Sequence, residues 1–311
     1  MELSREAFER AAHFLAERAR PLERSLFAHA FENAPIAPAL SALAGFANAD
    51  GGFGHGLEPD FRLPDSSALA TSHALSILRG LGQPAAQPLV AGALGWLADH
   101  FDPACAAWRA VPATVDDHPH APHWNASLHA PGGSWPVAVI PGAEVLAHFL
   151  HYGDAPTAHV KAASAGLLAA LPDTKPGPDG VLYLDRLAAS EGVPDALASA
   201  LAECLPRFVL DMVERDPEKW NGYVANPLKL APSPNSTAAR VIPDAVATNL
   251  DWAIGQQRED GSWAPNWTWQ GAYPAAWENA HLEWQGILTL ERLESFRAYG
   301  RLSWQAAEEP C

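Results

Sequence analysis

The stretch Gln257-Arg258-Glu259-Asp260-Gly261-Ser262-Trp263 has a near copy of its core earlier in the chain, Asp50-Gly51-Gly52-Phe53. An Asp-Gly-small-aromatic turn that recurs between apolar segments is a repeat signature, and a repeat constrains architecture more than any single motif. Turn chemistry explains the pattern. Asp accepts hydrogen bonds from nearby backbone, Gly takes the positive-φ position, and the aromatic ring plugs the gap between neighbouring helices.

Around these turns the apolar residues recur at helical spacing. Phe8, Ala12 and Leu15 form one stripe, Leu69, His73 and Ile77 another, and Val145 with Phe149 and Leu282, Gly286 and Leu290 continue it. Ala-rich runs from Lys161 to Ala170 and from Ala196 to Ala202 favour helix and let axes approach closely. No period-two run of β-branched residues competes, so the chain is predicted to be all-α. Two long connections, 101–140 and 214–236, are rich in Pro, His and Trp, and their aromatic content argues against disorder. An inner helix is hard to place around residues 214 to 250. A single domain over 1–300 with a tail from Arg301 to Cys311 is expected.

Two motifs carry a family resemblance. Gln257 followed by Gly261-Ser262-Trp263 resembles the QW motif of the terpenoid cyclases. Asp50-Gly51-Gly52-Phe53 leading to Leu69-Ala70-Thr71-Ser72-His73-Ala74-Leu75 is similar to the repeat of protein prenyltransferase β-subunits. The better copies span about 36–82 and 241–294. The resemblance implies an α/α toroid, a double ring of about five to six helical hairpins around an apolar cavity, with the long loops over one mouth.

Composition narrows the partners. Lys plus Arg 20 against Asp plus Glu 36 gives a net charge of −16, which repels nucleic acid and anionic membrane surfaces. The N-terminal Met1-Glu2-Leu3-Ser4-Arg5-Glu6 is charged from the start, and no run of about eighteen apolar residues occurs. No nucleic-acid partner and no integral membrane segment are therefore expected, and the location is read as cytoplasmic. Cys105, Cys204 and Cys311 are too few and scattered for a disulfide framework.

The densest polar constellation is His55-Gly56-Leu57-Glu58-Pro59-Asp60-Phe61-Arg62-Leu63-Pro64-Asp65. The resemblance implies that Asp65 opens an inner helix and faces the cavity, where class II terpenoid cyclases carry Asp-x-Asp-Asp-Thr-Ala. Here Leu63-Pro64-Asp65-Ser66-Ser67-Ala68 keeps only the central acid. Asp65 has two readings: an N-cap of a helix beginning at Ser66, or an acid raised in pKa by an apolar cavity, polarised by His55 or Glu58, that protonates an alkene or epoxide. Asp65, Asp60, Glu58 and His55 are the catalytic candidates. Phe53, His73, Trp277, Glu278, His281 and Trp284 are the expected substrate contacts, the two tryptophans offering aromatic faces to a developing cation.

Zinc, which protein prenyltransferases hold with Asp, Cys and His, would need ligands such as His55, Asp60 and His73 or Glu278, His281 and Glu283. No Cys stands beside an inner-helix acid, so no metal and no cofactor are expected. The function read first is an enzyme acting on a small apolar isoprenoid by acid-initiated carbocation chemistry. A carbohydrate-active toroid using paired carboxylates among Glu58, Asp60, Asp65 and Glu278 is the second reading. A non-catalytic lipid- or protein-binding toroid is the third.

Overall fold

The computed structural model describes residues 1–153 and 156–302. Among them the regular structure is helical, and extended residues pair only as isolated bridges. The helices are α1 (Arg5–Arg18), α2 (Pro21–Glu32), α3 (Ala37–Ala44), α4 (Ala68–Gly80), α5 (Pro88–Asp99), α6 (Ala126–His129) and α7 (Gly142–Tyr152). They continue with α8 (Thr157–Ala170), α9 (Gly177–Ala188), α10 (Asp195–Met212), α11 (Pro227–Leu230), α12 (Thr237–Val241), α13 (Pro243–Gly255) and α14 (Pro274–Ala298). The all-α class read from the periodicity is the class observed. From position 303 on, the expected tail lies outside the described residues, Cys311 included.

The chain forms two compact units. One comprises Met1–Ala42, Val209–Thr268 and Trp277–Cys311. In it α1 packs on α2, and α11 and α12 pack on α13. Ser4 caps α1 by accepting from the Ala7 amide at 3.2 Å. The buried stripe of α1 runs through Ala7, Ala11, Phe14 and Leu15, so Phe8 and Ala12 sit half-buried at its edge. The rings of Phe8, Phe27 and Phe31 cluster with the Arg297 guanidinium 4.3 Å above Phe31. Helix α13 lies where the sequence makes a helix hard to place. Its buried face includes Asn249, whose Oδ1 accepts the Leu228 amide at 2.9 Å, and a polar residue there blurs the apolar period.

The other unit comprises Leu43–Phe208 and Trp269–Ala276. It is a row of helical hairpins: α4 packs on α5 and α7 on α8, while α4, α7 and α9 lie side by side. Helices α4 and α7 are buried over most of their length, and their buried residues include the polar Thr71, Ser72, Glu144 and His148 beside the apolar ones. The connection 101–141 lies against the segment leading into α4. Arg62 N donates to Pro119 O, Ala121 N to Asp60 O and Leu69 N to Ala110 O, at 2.8, 2.8 and 3.1 Å.

One boundary differs from the expectation. The helix expected to open at Ser66 opens at Ala68, and its N-cap is Ser67, which accepts from the Ala70 amide at 3.1 Å. Ser66 lies outside the helix, its hydroxyl donating to Asp50 Oδ1 at 2.8 Å. Asp65 therefore caps nothing.

Candidate functional site

The first Asp-Gly turn builds the approach to the site. Asp50 Oδ1 accepts the Gly52 amide at 2.9 Å, Gly51 takes φ +92°, and the wholly buried Phe53 donates its amide to Thr71 Oγ1 of α4 at 3.0 Å. That bond ties the turn to α4, and Asn48 adds a second tie through Pro64 O and Ser66 Oγ, both at 3.0 Å. The chain between these ties, 54–65, is thereby folded back onto α4.

The fold-back buries two of the four acid–base candidates. Glu58 and Asp60 are each 5% exposed. Glu58 Oε2 lies 3.3 Å from His73 Nδ1, and His73 Nε2 lies 3.1 Å from the hydroxyl of Tyr183 on α9. Burial, with Asp179 and Glu144 nearby, pushes the Tyr183 phenol well above its ordinary range, so it stays protonated. A phenol that donates to Nε2 leaves Nδ1–H facing the Glu58 carboxylate. With the proton on Glu58 instead, both imidazole bonds reverse and the chain is still satisfied. Glu58, His73 and Tyr183 thus form a hydrogen-bonded series in which His73, 30% exposed at its side chain, is the member open to solvent.

Asp60 is held separately. Its Oδ1 accepts the indole N–H of Trp269 at 2.7 Å, and its amide faces Glu58 Oε1 at 3.4 Å. An indole donating to a carboxylate in a buried setting is a charge-assisted bond, stronger than a neutral pair.

The remaining predicted residues fall elsewhere. Asp65 is exposed, with Thr114 Oγ1 donating to it at 3.3 Å, which corrects its expected place in an apolar cavity. His55 is exposed too and pairs with Asn48 Oδ1 at 2.8 Å, so neither it nor Glu58 is set to polarise Asp65. Phe53 is a core plug. Trp277, His281 and Trp284 lie half-buried along α14 at i, i+4 and i+7, Trp277 edge-on to His281 at 5.5 Å and Trp284 edge-on to Trp267 at 5.1 Å. Glu278 is exposed on the same helix. Burial lowers the His281 pKa, aided by Arg258. The structure thus brings Glu58, Asp60 and His73 together in one unit and strings Trp277, His281 and Trp284 along one helix of the other.

Sequence reading missed a second polar group beside the series. Glu144 of α7 is 1% exposed and accepts from Arg186 Nη1 at 2.7 Å and Ser76 Oγ at 2.6 Å. Burial would raise its pKa, but Arg186 first and the other neighbours lower it, so it is ionised. His148, one turn on, is driven by burial to about 4 and is neutral. The signal was present as Glu144 and His148 standing at i, i+4 inside the otherwise apolar Gly142–Leu150. Tyr183 and Trp269 carried no such mark.

An open depression of about 350 Å³ lies beside the second Asp-Gly turn, lined by Glu6, Glu9, Arg10, His13, Glu259 and Asp260. Among the described residues, no group of three or more His, Cys, Asp or Glu is placed to hold a metal ion, and no helix is long and apolar enough to cross a membrane.

No family model matches the chain, and no curated protein matches it by sequence. Among solved structures it is similar to a variant of the type II terpene cyclase MstE from Scytonema, in complex with the product merosterolic acid A. The identity is 14%, the TM-score 0.48, and the match covers 94% of this chain and 97% of that one.

Proposed function

We propose that the protein is an enzyme that moves a proton to and from an isoprenoid substrate, with Glu58, His73 and Tyr183 as the proton-handling series. The observation that carries this reading is the series itself. A buried carboxylate, a part-exposed imidazole and a phenol kept protonated by burial are joined by contacts of 3.3 and 3.1 Å and accept a proton in either order. Isoprenoid chemistry is supported by the repeat turns, which resemble those of terpenoid cyclases and prenyltransferase β-subunits, and by their implied toroid. In the initiating step a proton on Glu58 passes to a terminal alkene carbon. The alkene π pair forms the new C–H bond, and the adjacent carbon is left cationic. Loss of a proton from a neighbouring carbon to a base of the site restores an alkene. Asp60, two residues from Glu58, supplies negative charge beside the cation.

The test is product analysis and thermal shift with squalene-like hydrocarbons and polyprenyl diphosphates, on the natural protein and on Glu58→Gln and Tyr183→Phe. Glu58→Gln is expected to lose at least about a hundredfold in turnover, since the amide keeps the shape without an acidic proton. Full turnover by Glu58→Gln, or stabilisation by oligosaccharides alone, would overturn the reading.

A further inference from the structure

The contact between His73 and Tyr183 joins α4 to α9, and a second link between the same two helices runs beside it through α7. Ser76, three residues beyond His73, donates its hydroxyl to Glu144 Oε1 at 2.6 Å. Arg186, three residues beyond Tyr183, donates Nη1 to the same oxygen at 2.7 Å. Three residues are about one helical turn, so on each helix the second contact is the neighbour of the first. Helix α7 packs on both α4 and α9 and carries the carboxylate between them.

Stability alone does not account for that carboxylate. Glu144 Oε1 takes the hydrogen bonds, with His148 Nε2 3.6 Å away, whereas Glu144 Oε2, His148 Nδ1 and Ser72 Oγ are buried without a hydrogen-bond partner among the described residues. Each such atom keeps its desolvation penalty, and a buried ion pair is often no more stable than apolar residues of similar volume. The neighbours have other partners too. Ser76 Oγ and His148 Nε2 lie 3.2 and 3.1 Å from Ser72 O, and the Arg186 side chain is 47% exposed to water. What Glu144 adds is one oxygen bonded from α4 and α9 together, next to the series.

We propose that Glu144 is a positioning residue, a clamp between α4 and α9 that sets the contact of His73 with Tyr183; this deepens the reading of Glu58, His73 and Tyr183 as the proton-handling series and rests on it. The clamp acts through the two helices, by fixing how far apart they stand at the level of the imidazole and the phenol. Proton transfer along a hydrogen bond depends steeply on that separation. The charge of Glu144 works in the same sense, since an anion near Tyr183 helps to keep the phenol protonated.

The experiment reads the contact without needing the substrate. Urea unfolding of the full chain with His73→Leu, Tyr183→Phe and both together gives the coupling of the two side chains as their departure from additivity. The cycle is run in the natural protein and again with Glu144→Leu. In the natural protein the coupling is expected at about tenfold in the unfolding constant, and Glu144→Leu should reduce it below about twofold. Glu144→Leu alone should leave the melting temperature unchanged or raised, which a merely structural ion pair would not do. Glu144→Gln, whose carbonyl oxygen still accepts from Ser76 and Arg186, should keep most of the coupling. Asp50 with Trp96, joined at 3.0 Å in the same unit, is the control pair and must stay coupled throughout. Should Glu144→Leu fail to fold, Ser76→Ala cuts the link to α4 alone and should lower the coupling too. Coupling that survives Glu144→Leu, or that falls only together with the control pair and the melting temperature, would sink the clamp. Where an isoprenoid is turned over, Glu144→Leu should lower kcat at least about tenfold with KM unchanged. The two proposals fail separately: selective loss of coupling in a chain that turns over no isoprenoid leaves the clamp and removes the function. Turnover that Glu58→Gln abolishes, with coupling intact in Glu144→Leu, does the reverse.

Discussion

The two Asp-Gly turns are built alike and surrounded differently. In the first, Asn48 N donates to Gly52 O, Gly51 N to Asn48 O, and Phe53 N to Thr71 Oγ1, at 2.9, 3.1 and 3.0 Å. In the second, Arg258 N donates to Ser262 O, Gly261 N to Arg258 O, and Trp263 N to Thr289 Oγ1, at 2.9, 3.0 and 3.1 Å. The glycines share φ, +92° and +89°. Beyond these bonds the copies part. Asp50 gathers Ser66 and the Trp96 indole at 2.8 and 3.0 Å and leads into the buried Glu58 and Asp60. Asp260 takes local bonds from Ser262, with Arg258 Nε 3.9 Å away, while Gln257 ties its turn to Ala7 O and Gly261 O at 2.7 and 3.0 Å. The shared bonds are scaffold, and the departure from them after Phe53 is where the candidate chemistry lies.

The largest effects should come from the glycines. A Cβ on Gly261 would run into the Arg10 carbonyl oxygen, and one on Gly51 would meet the Gly92 carbonyl oxygen at 2.8 Å. Gly261→Ala should cost about 4 kcal/mol and Gly51→Ala about 3, adding left-handed strain to a backbone clash. Urea unfolding gives both, and the reverse order would break the account of how tightly each turn is seated. Next come the threonines, both wholly buried: Thr71→Val and Thr289→Val each orphan one amide and should each cost about 2 kcal/mol. A large inequality between them would undo the equivalence of the two turns. Smaller again, Trp96→Phe removes a donor that only the first turn has, at about 1 kcal/mol.

Acid sharpens the comparison further. Burial tends to raise both aspartates, but the hydrogen bonds of Ser66, Gly52 and Trp96 hold Asp50 below its ordinary 3.8, and those of Ser262 hold Asp260 below the same value. A depressed carboxylate binds fewer protons folded than unfolded, so its stabilisation is complete above about pH 4 and is lost as pH falls through the folded pKa. Asp50→Asn and Asp260→Asn should each flatten the acid limb of a melting-temperature profile, and an unaltered limb in either variant would remove that aspartate from the account. The smallest effect belongs to Asp65→Asn, expected within about 0.5 kcal/mol and without change in any activity that Glu58→Gln abolishes. A large loss on Asp65→Asn would return the acid to the position the resemblance implied.

How much of this was legible follows from the range of the forces involved. The turns, the helical period and the all-α class are written in neighbours three or four residues apart, and sequence reading recovers them. It placed the acid at Asp65 because a carboxylate ahead of an apolar helix resembles a cap or a cavity acid. Ser66 bonds instead to Asp50, sixteen positions back, and Ser67 takes the cap, so the helix begins two residues later and leaves Asp65 outside. Asn249 and the pair Glu144 and His148 show the same limit, since a polar side chain in an apolar face is interpretable only once its distant partner is known.

The sequence by itself determined the two turns, the helices they join and the presence of acids after the first of them. Only the tertiary structure decided that Glu58 and Asp60, not Asp65, are buried, and that His73, Tyr183 and Trp269 are their partners. The reason is physical: burial and hydrogen bonding across 110 and 209 positions depend on which helices pack together, and no local propensity encodes that choice.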